Sequence, residues 1–454
     1  MKHLPGKVVT YLQKHSLKNY NLEWNSSGGI KNIVVIPAIA EYENIPKIIN
    51  SLIKNDDRHF QQTLIIFVIN NLKSSNDNVK LNNRKSLKLL RSIIHRRSED
   101  KFVKNVINSK LNFGIVDAAS EGKELDEKTG GVGLSRKAGM DAALAVFDYE
   151  EPGKNILFCT DADAHLSPNY LSEVIQRFNK NNMNAGYTNF EHDITGNDKN
   201  TAAIICYEIF LRYYVGGLQY AKSPYAFHTI GSTIICDSDA YIKIGGMNKK
   251  KAAEDFYFLE KLAKNYRIEN IDSVIVYPSK RSSWRVPFGT GQRVTRYLNG
   301  KRNEYLLYNP EVFEKLKSWL QLFSGSSDDN IKELLKNSED IHPGIYNFLT
   351  GQGFQKQWEN IIDNSKTAEQ LARQKKFWFD GFRTLKLIHH LRDNAFPEIN
   401  MFDALDKFFN MTDTDFILNR NRNDIPSLDL QRKYLHKLRE LEKNNFKHRL
   451  QIIR

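Results

Sequence analysis

Between residues 32 and 190, short runs of β-branched and apolar residues alternate with stretches whose apolar residues recur every three or four positions. NIVVIP reads as a strand closed by Pro37. Ile45, Ile48, Ile49, Leu52 and Ile53 follow it at helical spacing. TLIIFVIN (63–70) is a second strand and FVKNVIN (102–108) a third. The glycine-containing, charged stretch 112–133 reads as a long loop, and LSRKAGMDAALAVF as a helix rich in small residues. Ile156, Leu157, Phe158 and Cys159 then form a strand backed by the helical stripe Leu171, Val174, Ile175 and Phe178. Such alternation predicts an α/β fold, a Rossmann-like, mostly parallel sheet with helices on both faces. Three further strands are expected at 184–190, 232–238 and 273–278, and helices alone after about residue 305. The expected division is an N-terminal helical extension with its linker (1–30), an α/β domain (31–304) and a helical C-terminal domain (305–454).

The length of 454 residues suits two or three domains, and 41% hydrophobic with 26% charged residues is a globular composition. The most apolar stretch, TAAIICYEIFLRYYVGGLQYA, is interrupted by Glu208 and Arg212, so a buried or interfacial helix is expected there rather than a membrane span. The N-terminus lacks the apolar core of a signal peptide. The three cysteines lie within apolar runs without metal-type spacing, as packed thiols in a reducing compartment would. A cytoplasmic location follows as the expectation, with room for peripheral membrane contact. The net charge is +13, most of it in the first 300 residues. Residues 273–303 hold seven Lys/Arg and no acid, a composition that attracts anionic partners. Aromatic residues fall at core-like spacing rather than among the cations, which argues against nucleic acid.

Asp161-Ala-Asp163 follows directly on the strand 156–159, where open α/β sheets gather ligands. Paired hard oxygens there suit Mg²⁺ or Mn²⁺, above all a cation that also holds phosphates. A solvated acidic turn is the alternative on spacing alone, since Asp237/Asp239 and Asp413/Asp415 repeat the pattern.

VVIPAIAEYENI, GVGLSRKAGMDAAL, CTDADAHLSP, GGMNKKKAAEDFYFLEKL and SKRSSWRVPFGTGQRVTRY, in this order, make residues 30–300 resemble a family 2 glycosyltransferase of the GT-A fold. VVIPAIAEYENI resembles the first-strand signature whose turn holds the nucleotide base, with Pro37, Ala38 and Glu41 at the matching positions. GVGLSRKAGMDAAL resembles the stretch that places a basic residue, here Arg136, near the sugar nucleotide. CTDADAHLSP matches the Asp-x-Asp motif, with Asp161 and Asp163 as metal ligands and Asp161 also near the ribose. GGMNKKKAAEDFYFLEKL resembles the Gly-Gly turn before a Glu-Asp pair, which makes Asp255, or Glu254, the catalytic base. SKRSSWRVPFGTGQRVTRY resembles the basic loop after the catalytic core. Its Gln292 to Tyr297 stretch approaches the Gln-x-x-Arg-Trp pattern of processive members, with Tyr in place of Trp.

The resemblance implies a metal-dependent, inverting transfer of sugar from a nucleotide-diphosphate donor to an acceptor hydroxyl. The acceptor could be a glycan, a lipid-linked molecule or a small molecule. Lys280, Arg281, Arg285, Arg293 and Arg296 are the expected diphosphate cations, because a departing diphosphate must have its growing charge stabilised. Asn70-Asn71 stands where many relatives carry an Asp that grips base and ribose. His165 and His228 are the remaining metal-ligand candidates. A haloacid-dehalogenase-like phosphatase would open its domain with the motif, and a sugar nucleotidyltransferase needs a glycine-rich loop after its first strand. The other alternative is a non-catalytic basic binding protein. The helical C-terminal region, including KFWFDGFRTLKLIHHLR, is expected to shape an acceptor site or an oligomer contact.

Overall fold

The computed structural model describes residues 4–25, 28–281, 289–300, 302–326 and 330–451. The chain forms two compact units, one of residues 1–193 with 229–292, the other of 194–228 with 293–454.

The first unit is built on a nine-stranded sheet. Its strands are β1 (Leu22–Trp24), β2 (Asn32–Ala38), β3 (Thr63–Asn70), β4 (Asn112–Ala118), β5 (Ile156–Cys159), β6 (His165–Leu166), β7 (Ala185–Phe190), β8 (Ile234–Asp237) and β9 (Ile268–Tyr277). Their order is β1-β4-β3-β2-β5-β8-β7-β9-β6. The run β4-β3-β2-β5 is parallel, β7 and β9 pair parallel, and the remaining pairings are antiparallel. From β2 the chain winds outward through β3 and β4, then returns to the other side of β2 as β5. The order therefore reverses between β2 and β5, the place where such sheets open a crevice at their carboxyl ends.

Pleating decides which face each residue serves. Val34, Ile36, Ile65, Phe67 and Phe158 join one core with α2 (Ile45–Ile53), α3 (Asp77–Ile94), α4 (Lys101–Asn108) and α6 (Tyr170–Lys180). On the other face lies α5 (Val132–Leu144). A Cβ on Gly139 would stand 2.5 Å from Val35 Cγ1 and 2.8 Å from Val68 Cγ2, so only glycine lets α5 settle this close to the sheet. The α5 residues 133–141 are all buried, charged ones included. Helix α1 (Gly6–Lys14) is tied to α5 through Asp141, which accepts from Tyr11 and from Tyr241 at 2.8 Å each and pairs with Lys137 at 3.1 Å.

Three expectations change here. The expected helical extension within residues 1–30 is helical at α1 and continues into edge strand β1, paired antiparallel with β4. FVKNVIN is helix α4, because Val103 and Val106 sit one turn apart and Asp100 caps its start by accepting from the Val103 amide. The start of the supposed loop 112–133 is strand β4, fully inside the sheet.

The second unit is almost wholly helical. Helix α7 (Lys199–Tyr220) packs its Ile205, Ile209, Tyr213 and Leu218 with Val312, Phe313, Trp319 and Phe408. Its buried Glu208 and Arg212 are satisfied together. Arg439 donates to Glu208 from Nε at 2.8 Å and from a terminal nitrogen at 3.0 Å, and Arg212 pairs with both Glu208 and Glu442. The division into units falls at 193/194, 228/229 and 292/293. The α1 segment is part of the sheet-bearing unit, and α7, expected within the α/β domain, belongs to the helical one. No helix among the described residues is long and apolar enough to cross a membrane.

Candidate active site

Three loops at the carboxyl ends of β2 and β5 and after β9 come together where the strand order reverses. The β2 loop turns at Ala40, which adopts a left-handed φ of 53° and is held by its amide donating to Asn83 Oδ1 at 2.9 Å. This turn buries Glu41. The β5 loop carries Asp161 and Asp163. Arg281, just beyond β9, reaches both loops. Its Nε donates to Asp163 Oδ2 at 2.8 Å and a terminal nitrogen pairs with Glu41.

Arg136 is the centre of the second half of the site. It is buried, its terminal nitrogens pairing with Asp161 at 2.6 Å and with Glu254, while its Nε has no hydrogen-bond partner among the described residues. Gly231 makes the space: a Cβ there would lie 2.3 to 2.6 Å from three guanidinium atoms. Glu254 and Asp255 open helix α9 (Glu254–Asn265, α8 being Ser238–Lys243). Ala253 before them takes φ 56°, a left-handed conformation that costs a non-glycine residue about 1–2 kcal/mol and is retained here beside the charged cluster.

The two acids differ in setting. Glu254 is 3% exposed, and burial pushes its carboxyl up to about 7 despite the attraction of Arg136. Asp255 is half-buried, and its carboxyl is also raised, by burial first, with Arg136 opposing. Burial likewise raises Asp163 against the pull of Arg281. A carboxyl that holds its proton more tightly in the folded state favours folding fully below its unfolded value and loses that contribution as pH rises toward its folded one. Replacing Glu254 by Gln should therefore remove a component of stability that declines from about pH 4.5 to about pH 7. Urea denaturation at a series of pH values checks this. A wild-type minus Glu254→Gln difference that is flat across that window would refute the shift.

The sequence-predicted residues divide cleanly. Glu41, Arg136, Asp161, Asp163, Glu254, Asp255 and Arg281 are linked around one cluster. Ala38 is buried and Pro37 half-buried in β2. Asn70 turns inward, its amide donating to the Ala38 and Val68 carbonyls at 3.2 and 3.1 Å, so it knits β3 to β2. Lys280 pairs with Asp193 at 3.0 Å. Arg293 and Arg296 belong to the second unit, on α10 (Thr290–Leu298), where both engage Glu304; Arg293 also lies 4.4 Å from the Phe210 ring centre. Arg285 lies outside the described residues. His165 is exposed on β6, and His228 is hydrogen-bonded to Glu442 at 2.8 Å in the second unit. Sequence reasoning missed Gly231, which has no motif to announce it, and the joint hold of Arg136 on Asp161 and Glu254.

Among the described residues, no group of three or more His, Cys, Asp or Glu side chains is gathered to hold a metal. Two carboxylates at the end of β5 nevertheless fit a hard divalent cation whose other ligands come from phosphate oxygens and water, the usual arrangement for Mg²⁺. They do not make a site for a cation held by protein alone.

No family model and no curated protein matches the chain. Among solved structures it is similar to S. aureus TarS residues 1–349 in complex with UDP-GlcNAc, at 14% identity and a TM-score of 0.38, covering 77% of this chain and 92% of that one. It is also similar to the mannosyltransferase PcManGT of Pyrobaculum calidifontis in complex with GDP-Man and Mn²⁺, at 12% identity and a TM-score of 0.35, over 86% and 96% of the two chains. GalNAc-T7 with UDP, GalNAc and Mn²⁺ is a third, at 13% identity and a TM-score of 0.35, over 69% and 54%.

Proposed function

We propose that the first unit transfers a sugar from a nucleotide-diphosphate donor to an acceptor hydroxyl, with Asp255 as general base and inversion at the anomeric carbon. The observation that carries this reading is the single guanidinium of Arg136 between Asp161 and Glu254. It supports the reading by tying Asp161 to the neighbour of Asp255, at the sheet end where the strand order reverses.

Asp161 and Asp163 would hold Mg²⁺ or Mn²⁺, which supplies Lewis-acid stabilisation of charge on a diphosphate. The protein's own groups account for the rest. Asp255 accepts the acceptor hydroxyl's proton as its oxygen attacks the anomeric carbon. The bond from that carbon to the diphosphate oxygen breaks, and its electron pair leaves with the diphosphate. Asp255 suits the proton transfer better than Glu254, because it is partly open and carries a raised affinity for protons. Glu254 is closed off and already committed to Arg136. Its role is to fix that guanidinium, which in turn orients Asp161. Pro37, Ala38 and Glu41 lie at the β2 end where the nucleotide is expected.

The reading predicts binding of UDP or GDP that depends on the cation. Calorimetric titration with and without EDTA in the presence of Mn²⁺ tests it. Binding should be lost on chelation, and Asp163→Ala should behave like the chelated wild type. Equal affinity in the two conditions would remove the cation from the mechanism.

A further inference from the structure

We propose that Arg281 occupies the cation site as a displaceable internal counter-ion, so that metal and diphosphate bind together and the metal alone binds only weakly. The proposal rests on the reading of Asp161 and Asp163 as cation ligands and adds a residue that sets their specificity. Its basis is the unequal standing of the two guanidiniums on the motif. Arg136 is 3% exposed, wedged against Gly231 and shared between Asp161 and Glu254. It has nowhere to go. Arg281 is 34% exposed and lies four residues beyond β9, and its Nε and one terminal nitrogen converge on the same oxygen of Asp163, at 2.8 and 2.7 Å. That oxygen is one a divalent cation would need.

A divalent cation and a guanidinium on one carboxylate stand as like charges side by side, even with Glu41 as a second partner of Arg281. Metal binding is therefore weakened for as long as the guanidinium stays. Glu41, buried and also paired with Arg281, holds it in place, and an exposed arginine released into water gains nothing that water did not already offer. A diphosphate changes the balance, because its oxygens offer the guanidinium a charge-assisted partner of at least equal quality. Rotation of the Arg281 side chain from Asp163 to a phosphate would then free the carboxylate and supply a cation to the leaving group in one movement. Metal and diphosphate each raise the other's affinity by the same factor, as linkage requires.

The test is Mn²⁺ binding with no nucleotide present, followed by electron paramagnetic resonance of the free ion, in the full chain and in Arg281→Met. Wild type should bind Mn²⁺ weakly, and Arg281→Met should bind it roughly tenfold tighter or more. Arg281→Lys should fall between them, since one ammonium cannot span Asp163 and Glu41 as a fork does. The gain should vanish in Arg281→Met combined with Asp163→Ala, which fixes the bound ion at this carboxylate. The factor by which Mn²⁺ improves UDP or GDP affinity should shrink in Arg281→Met. Unchanged Mn²⁺ affinity in Arg281→Met overturns the proposal, as does a gain that survives loss of Asp163 or a failure of both proteins to bind the ion. Failure of both to bind UDP and GDP under all conditions would instead sink the nucleotide-sugar reading, while the nucleotide-free comparison still decides the role of Arg281. Circular dichroism and thermal melting establish that each variant is folded.

Discussion

Asp255→Asn should bind nucleoside diphosphate and cation as the wild type does, yet transfer sugar roughly 10²–10⁴-fold more slowly, the usual range for removal of a general base. The substitution keeps the size and one hydrogen-bonding oxygen of the side chain, so the short contact with the Phe256 amide, 2.7 Å in the wild type, can persist. What it removes is the ability to accept a proton. Calorimetry for binding and a single-turnover assay for transfer separate the two quantities. Near wild-type transfer by Asp255→Asn would move the base elsewhere. Glu254→Gln then becomes the informative variant, although its partner Arg136 makes it the poorer proton acceptor on geometry.

The largest effect on stability is expected at Arg136. Removing one member of a buried ion cluster strands the others, and costs of about 3–5 kcal/mol are usual. Arg136→Met fills the space but leaves Glu254, at 3% exposure, with no cation, so urea unfolding should register a loss of that order. Gly231→Ala approaches the same group from outside, since its new methyl would overlap the guanidinium and force it off its partners. Gly231→Ala should therefore lose stability in the same direction and also lose cation-dependent diphosphate binding, as Asp161 would be reoriented. A Gly231→Ala protein as stable as wild type, with intact binding, would show that the guanidinium position is not critical.

The parts of this site that the sequence announces are those with local chemistry. Asp161 and Asp163 stand out because they follow an apolar strand, and Glu254-Asp255 because they follow a Gly-Gly turn and open an amphipathic helix. The partnership of Arg136 with Glu254 spans 118 positions and leaves no spacing to read. Arg293 and Arg296 have a partner that the composition of their stretch does not announce. The stretch 273–303 holds no acid, but Glu304 is the next residue and takes both guanidiniums. In the fold, β2, β3 and β5 are legible because buried parallel strands are continuous β-branched runs. FVKNVIN is not, since so short an apolar segment fits either period until its cap and neighbours are known. The strand at 112–118 hides behind Asn112, Gly114 and Asp117. Glycine there is a consequence of crowding, as a Cβ on Gly114 would lie 2.9 Å from Leu22 in β1.

The excursion of the chain into the second unit at residues 194–228 sets an order on how the molecule can be assembled. Domains tend to form during synthesis from the N-terminal side. The sheet, however, lacks β8 and β9 until the chain has first produced α7, an apolar helix whose partners are still unmade. Glu208 in that helix waits for Arg439, 231 positions further on. Throughout that interval the nascent chain carries an apolar helix without its packing partners, and Glu208 has Arg212, four positions on in the same helix, as its first counter-charge.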